Sequence, residues 1–354
     1  MANLSSNAGK LEKMSATGLQ RILVTGGAGF IGSSLIPELL NRGNHVTVAD
    51  HLSVGKKQNV EPFLSNDNFD FIELDLIDGN TLKDVVKKCK LVFHLAGNSI
   101  VKTGYSNSEI DFFNNIVATR NLLENMRTSD GCKKIIFTST SAIYGEAQIL
   151  PTPEDYGPLK PISMYGASKL ACESLISGYA GTFGIEAVIF RLANVVGPSN
   201  KHGVIFDFFN KLAQSDGKYL EILGNGTQKK SYIYIDDCVN ALAKIGLRPF
   251  DSGLEIFNVG TDDQIDTNSI AQIIIAEMGL QTEIRYASQQ NDGRGWVGDI
   301  KNMLLSTEKL KKIGWKINYS SNESVSLTTK KMIENKYNTI KKFDVKSSPH
   351  SLVL

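Results

Sequence analysis

Tyr165 and Lys169, in Met164-Tyr165-Gly166-Ala167-Ser168-Lys169, stand four residues apart and share one face if the segment is helical. A phenol titrates near pH 10 and is a poor base at neutral pH, but an ammonium beside it and a cationic cofactor ring above it both favour the phenolate. Such a pair can take a proton from a substrate hydroxyl while hydride leaves the same carbon. Upstream lies a hydroxyl cluster, Thr138-Ser139-Thr140-Ser141, followed by Ala142-Ile143-Tyr144-Gly145. A Ser or Thr hydroxyl from such a cluster can orient the substrate oxygen.

Hydride chemistry needs an acceptor, and a glycine loop near the start of the chain is suited to hold one. Thr25-Gly26-Gly27-Ala28-Gly29-Phe30-Ile31-Gly32 has glycines in GxxGxxG spacing. Without Cβ atoms such a loop turns tightly and brings backbone N–H groups against a pyrophosphate at a helix N-terminus. The last glycine lets that helix pack closely on its strand. Asp50 ends the next predicted strand, 18 residues past Gly32, and can accept both ribose hydroxyls of an adenosine. A 2′-phosphate there would meet an uncompensated carboxylate, which selects NAD over NADP. Lys56 and Lys57 follow in a loop where they either touch an adenosine phosphate or stay in solvent.

The elements that must position these groups alternate. Short β-branched runs at Ile22–Val24, His45–Val48, Phe69–Ile72, Leu91–Phe93, Lys134–Phe137, Ala187–Phe190 and Glu255–Val259 predict strands. Helix-spaced apolar residues fall at Ile31–Asn41, Thr81–Lys88, Asp111–Arg127 and Tyr165–Thr182. The alternation predicts an α/β fold, a Rossmann-type doubly wound parallel sheet with a smaller C-terminal substrate-binding lobe. Residues 20–197 form the expected NAD-binding domain and 198–336 mainly the second lobe, with the strand near 255–259 returning to the sheet. Residues 1–19 are expected as a disordered tail and 337–354 as a flexible one.

Composition narrows the classes. A chain of 354 residues with 42% apolar content can bury a full core. Lys and Arg number 38 against 37 Asp and Glu, so no long-range field favours nucleic acid or an anionic membrane. No run reaches the apolar length of a membrane span, and no secretory signal opens the chain. The protein is expected to be soluble and cytoplasmic. Cys89, Cys132, Cys172 and Cys238 lie far apart without metal-ligand spacing, so they read as reduced packing residues and no metal site is expected.

Beyond the glycine loop and Tyr165–Lys169, further segments follow in order: ADHLSVGKKQN, LDL at 74–76, HLAG at 94–97, NNIVAT at 114–119, TSTSAIYG, RLANVVGP at 191–198, GNGTQKKSYIYIDD at 224–237 and FNVGT at 257–261. Together, from about Arg21 to Trp315, they resemble the extended short-chain dehydrogenase/reductase family, in particular its NAD-dependent nucleotide-sugar epimerases typified by UDP-glucose 4-epimerase. The resemblance implies that Thr140, Tyr165 and Lys169 are catalytic. It also implies that Gly26, Gly29, Phe30, Ile31, Gly32, Asp50, Asp75, Leu76, the stretch His94, Leu95, Ala96 and Gly97, and Asn115 hold NAD together with Tyr165 and Lys169. Ser141, Asn194, Lys230 and Arg294 become the expected substrate ligands, Asn194 and Arg294 facing a diphosphate, and Met303 bounds the sugar pocket. A guanidinium suits a diphosphate by its bidentate fork.

Relatives that eliminate water or carbon dioxide carry a Glu two places before the Tyr of Tyr-Gly, whereas this chain has Ser141-Ala142, and neither can act as a general acid. Oxidation and re-reduction at C4 of a UDP-hexose, plain or N-acetylated, is therefore the expected reaction, by an enzyme that relatives suggest is a homodimer. The competing readings are a 4-reductase, a dehydratase or a 3,5-epimerase-like variant on the same scaffold, or a dinucleotide-binding redox sensor without catalysis.

Overall fold

The computed structural model describes residues 20–101, 103–251, 253–287 and 292–347. The tail expected over 1–19 and the end of the chain, 348–354, lie outside these residues.

All seven predicted strands form one parallel sheet: β1 Arg21–Thr25, β2 His45–Asp50, β3 Phe69–Glu73, β4 Leu91–His94, β5 Lys134–Thr140, β6 Glu186–Leu192 and β7 Leu254–Val259, in the order β7-β6-β5-β4-β1-β2-β3. The two-residue period of a strand divides their side chains between two cores. Ile22, Val24, Val48, Phe93, Ile136 and Phe190 point to one face, and Leu23, Val92, Ile135, Phe137 and Ile189 to the other. Both faces are covered, which is why these strands read as nearly continuous apolar runs. Helices α1 Phe30–Asn41 and α6 Ile235–Gly246 pack on the first face; α2 Gly79–Lys87, α3 Ala118–Arg127 and α4 Met164–Phe183 pack on the second. Among the described residues no helix is long and apolar enough to cross a membrane.

The second lobe is built on α5 Val204–Gln214, α7 Thr267–Glu277 and α9 Ser321–Ser347 around a parallel strand pair, Tyr219–Leu223 with Glu283–Ala287. Phe208, Leu212, Ile222, Ile270, Ile274 and Val325 fill its core. Between α5 and α7 the chain returns to the sheet with more than the expected strand, since α6 lies against α1 before β7 pairs with β6. The short helix α8, Glu308–Lys312, then packs near β7.

Two expectations change. The helix expected over Asp111–Arg127 is interrupted: a short helix, Ser108–Asp111, leads into a π-turn, Phe112–Val117, before α3 begins. The extra residue in that wide turn goes with Asp111 and Asn115 both being buried while Phe112 and Phe113 stay exposed. The end of the chain is also more regular than expected, because α9 continues to Ser347 rather than ending near residue 337. No glycine or proline occurs between Trp315 and Ser348, and lysines, with good helix propensity, recur throughout.

His94, at the end of β4, is fully buried between two hydroxyls, its Nδ1 2.8 Å from Thr25 Oγ1 and its Nε2 2.9 Å from Thr119 Oγ1. Burial, helped by the charge of Lys169, lowers its pKa from 6.5 to about 3. The unfolded chain therefore takes up a proton below pH 6.5 that the native protein refuses until about pH 3. Stability from this residue is complete above that window and is lost as pH falls through it, by up to about 1.4 kcal/mol per pH unit. Urea unfolding at about pH 7.5 and about pH 5 should show this loss, and His94→Asn should flatten it. Equal pH slopes in the two proteins would remove His94 from the account.

Candidate active site

The glycine loop leaves β1 against neighbours that leave no room for a side chain. A Cβ on Gly26, where φ is +71°, would lie 2.6 Å from the Ala96 backbone N, and one on Gly32 would lie 2.4 Å from the Gly26 carbonyl oxygen. Gly29 caps α1 with no side-chain bond, so the first amides of the helix face outward unpaired by any capping group. Phe30 and Ile31 supply two of those amides. Asp50 is buried at the end of β2 and braces the loop, its Oδ2 accepting from the Ala28 N–H at 3.0 Å and its Oδ1 from the Leu52 N–H at 2.9 Å. Each carboxylate oxygen keeps acceptor capacity for a ribose hydroxyl.

The rest of the expected cofactor set lies along the same carboxyl edge of the sheet. Leu95 and Ala96 follow β4, their N–H groups donating to the Thr25 carbonyl at 3.1 Å and to Thr25 Oγ1 at 3.3 Å. Asp75 is exposed just after β3, close enough to His51 to help Asp50 raise that imidazole's pKa; Leu76 beside it is buried. Lys56 and Lys57 are exposed beside the loop. Within the HLAG segment His94 is fully buried, while Leu95 and Ala96 are partly buried against the core. A cradle that a Cβ would fill, a helix N-terminus and a carboxylate with spare acceptor capacity fit a dinucleotide.

Thr140 ends β5, and its Oγ1 accepts the Ala142 N–H at 3.2 Å, which caps the turn Ser141–Tyr144. Tyr165 lines the same cavity as Thr140, whose hydroxyl favours the ionised phenol. One helical turn on, buried Lys169 donates to the Thr138 carbonyl at 3.0 Å and lies 4.7 Å from the centre of the Phe137 ring. The three expected catalytic residues are thus brought together. The electrostatics differ from expectation: burial pushes the Tyr165 phenol up to about 12, with only the neighbouring Thr140 hydroxyl opposing it. Lys169 is itself pushed below its usual value by burial, and its ammonium is turned towards the Thr138 carbonyl and Phe137. Lys169 does not offset the burial of Tyr165 here, its charge being committed to the Thr138 carbonyl and the Phe137 ring.

Arg191 on β6 holds this region together. Its guanidinium pairs with Glu173 of α4 at 2.8 Å and donates to the Tyr144 hydroxyl at 2.8 Å and to the Glu154 carbonyl at 2.7 Å. Tyr144 in turn donates to Asn258 Oδ1 of β7 at 2.8 Å. Asn115 supports the other flank of α4, its Nδ2 donating to Ser168 Oγ at 2.7 Å and its Oδ1 accepting the Asn98 N–H at 2.7 Å.

A cavity opens between the lobes in front of Tyr165. Thr140, Ser141 and Ala142 form one wall, Asn194 and Lys230 another, and Trp296, Ile300 and Met303 an apolar side. Lys230 is not free in it: Asp299, also on the lining, accepts from its ammonium at 2.6 Å. Asn194 donates to the Ser231 carbonyl at 3.2 Å. Arg294 is absent from this lining. Its fork is taken by Asp292 at 2.6 Å, Glu146 at 2.7 Å and the Asp299 carbonyl at 2.5 Å. Gly293 and Gly298, both at positive φ, turn the GRGWVGD segment so that Trp296 and Asp299 face the cavity instead. Sequence reasoning missed both, since nothing local links Asp299 to a lysine 69 residues away.

Comparisons with known proteins agree with this geometry. The model of the NAD dependent epimerase/dehydratase family matches residues 22–260. A UDP-glucose 4-epimerase of Mycolicibacterium smegmatis is 30% identical over 315 residues, 87% of this chain and 97% of the relative. A UDP-N-acetyl-α-D-glucosaminuronate decarboxylase of Bacillus cytotoxicus is 36% identical over 264 residues, 72% of this chain and 79% of that one. The crystal structure of a UDP-glucose 4-epimerase of Thermotoga maritima with UDP-glucose superposes with a TM-score of 0.80 at 32% identity, covering 89% of this chain and 99% of the other.

The position of Asp50 yields a test of cofactor choice. NAD should bind at least roughly tenfold more tightly than NADP, about 1.4 kcal/mol. Asp50→Ala should narrow the gap, chiefly by weakening NAD, because it removes a ribose acceptor and a brace of the glycine loop. Calorimetric titration of both proteins measures it; equal affinity of the unaltered protein for the two dinucleotides would overturn the assignment.

Proposed function

The chain belongs to the NAD-dependent epimerase/dehydratase family, and from that premise we propose that it is a nucleotide-sugar 4-epimerase, inverting C4 of a UDP-hexose through a 4-keto sugar. The observation that carries this reading is the cavity wall at Ser141 and Ala142, beside Thr140 and Tyr165. Elimination of water or loss of carbon dioxide calls for an acid or base there, and neither side chain serves. Glu146, four residues further on, is committed to Arg294 and to the Lys301 N–H. Asp299 is committed to Lys230. Simple oxidation and re-reduction asks only for the tyrosine.

NAD, when bound, supplies the hydride acceptor and donor and a positive ring beside the phenol. Tyr165 takes the proton of the 4-hydroxyl at its Oη and returns it once the sugar has turned over. Thr140, beside that phenol on the cavity wall, orients the substrate oxygen. Lys169 keeps a buried positive charge within the site. Asn194 and Lys230 hold the nucleotide end while the hexose turns against Trp296 and Met303, a flexible thioether that accommodates plain and N-acetylated sugars alike.

Incubation with a panel of UDP-, dTDP-, GDP- and CDP-sugars, followed by NMR at C4, should show inversion of a UDP-hexose with no net consumption of dinucleotide. Stoichiometric NAD(P)H consumption would assign a reductase instead. Tyr165→Phe should still bind NAD and sugar nucleotide while turnover falls by roughly 10²–10⁴. Thr140→Ser should be mild and Thr140→Val severe. Near-normal epimerisation by Tyr165→Phe would end the base assignment.

The assembly we propose is an isologous dimer through α3 and α4, supported by aromatic residues exposed on that side, Phe112, Phe113 and Phe183. Light scattering at micromolar concentration should give about twice 38.8 kDa; a mass near the single-chain value would count against it.

A further inference from the structure

We propose that Asp111 is a positioning residue of the proton-transfer site, a fully buried carboxylate that fixes Asn98 and Asn115 behind the Tyr165–Lys169 helix and sets the pH range in which that pair works. The inference rests on the reading of Tyr165 as the base.

Asp111 has no exposed surface and lies where the short helix Ser108–Asp111 passes into the π-turn. Its Oδ1 accepts from Asn98 Nδ2 at 2.9 Å and from Asn115 Nδ2 at 3.4 Å. Asn115 relays the constraint to Ser168, the residue before Lys169. The other oxygen, Oδ2, has no hydrogen-bond partner among the described residues. The backbone closes over it at Gly104, where a Cβ would lie 2.1 Å away. A purely structural post at this position would be better filled by asparagine, which has the same shape and carries no charge to desolvate. π-turns frequently mark functional sites, and this one carries Asn115.

Burial raises the Asp111 carboxyl's own pKa, opposed by the Asn98 hydrogen bond and the charge of Lys169; where the carboxyl is ionised, its charge has a direction of action. From α4, Lys169 and Tyr165 face Asp111, while Cys172 and Glu173 of the same helix add negative influence on Lys169, and Thr140 faces Tyr165 from β5. A carboxylate here opposes ionisation of the Tyr165 phenol and favours the Lys169 ammonium, so it moves both titrations to higher pH. Without it, the phenol loses its proton at lower pH, and so does the ammonium. Both limbs of the rate profile should move to the acid side together, which a change in packing alone does not produce.

The experiment is the pH dependence of kcat for UDP-glucose/UDP-galactose interconversion by the NAD-loaded Asp111→Asn variant. Both limbs are expected to shift towards acid by roughly half a pH unit or more. Tyrosinate absorbance, taken as the difference between Asp111→Asn with and without Tyr165→Phe, should shift the same way and reads the phenol without turnover. If Asp111→Asn fails to fold, Asn98→Ala removes the donor that favours the charged Asp111, and its limbs should move in the same direction. Unmoved limbs, whatever the rate, would overturn the proposal, as would failure of both variants to fold, which assigns the cluster to folding alone. An active Tyr165→Phe would instead overturn the base assignment; an inactive one beside unmoved limbs sinks only Asp111.

Discussion

A guanidinium removed from water must have its hydrogen bonds met, and the way Arg191 meets that demand organises the active site. Its donors reach Glu173 on the helix that carries Tyr165 and Lys169, the Tyr144 hydroxyl in the turn that follows Thr140, and the Glu154 carbonyl beyond it. Through Tyr144 the bonds continue to Asn258 on β7, and from there to the Thr152 carbonyl. Taking out one partner of such a pair leaves an uncompensated buried charge, which costs about 3–5 kcal/mol. The energy required to break the cluster therefore holds the turn after Thr140 against the helix that carries Tyr165. The placement of these two elements is a by-product of satisfying one buried cation.

The same principle shapes the substrate side. Lys230 and Arg294 bring positive charge close to the cavity, yet each is already matched by carboxylates of the protein, Asp299 for the lysine and Asp292 and Glu146 for the arginine. An anionic ligand would meet cations that are partly neutralised and well oriented. Its binding exchanges one ion pair for another rather than creating a pair from solvated groups. Such an exchange moderates affinity.

Much of the fold was readable because its strands are buried on both faces and its helices on one: short continuous β-branched runs and a period of about 3.6 leave separate marks, and all seven strands stand where those runs fall. The glycines at 26 and 32 were readable because close backbone approach excludes every other residue. Side-chain commitments made across long sequence distances left no such mark. Nothing local tells that Arg294 turns to Glu146, that Lys169 reaches back to the Thr138 carbonyl, or that burial leaves Tyr165 hard to ionise. The π-turn escaped for a related reason, since apolar spacing registers which residues face inward but not an added residue within a turn. The length of α9 was underestimated because lysine-rich sequence reads as solvated chain, although lysine is also a good helix former.

The route of the chain between the lobes has a mechanical consequence. It leaves the sheet after β6, comes back as α6 and β7, departs towards α7, returns as α8 beside β7 and departs again to α9, so covalent backbone crosses the boundary at five places rather than one. A single crossing can act as a pivot, whereas five crossings with α6 clamped against α1 resist rotation as a braced panel does. Large rigid-body swinging of one lobe against the other is thereby stiffened, and the cavity lined from both, with the glycine-flanked segment around Trp296 on its rim, lies in a braced frame.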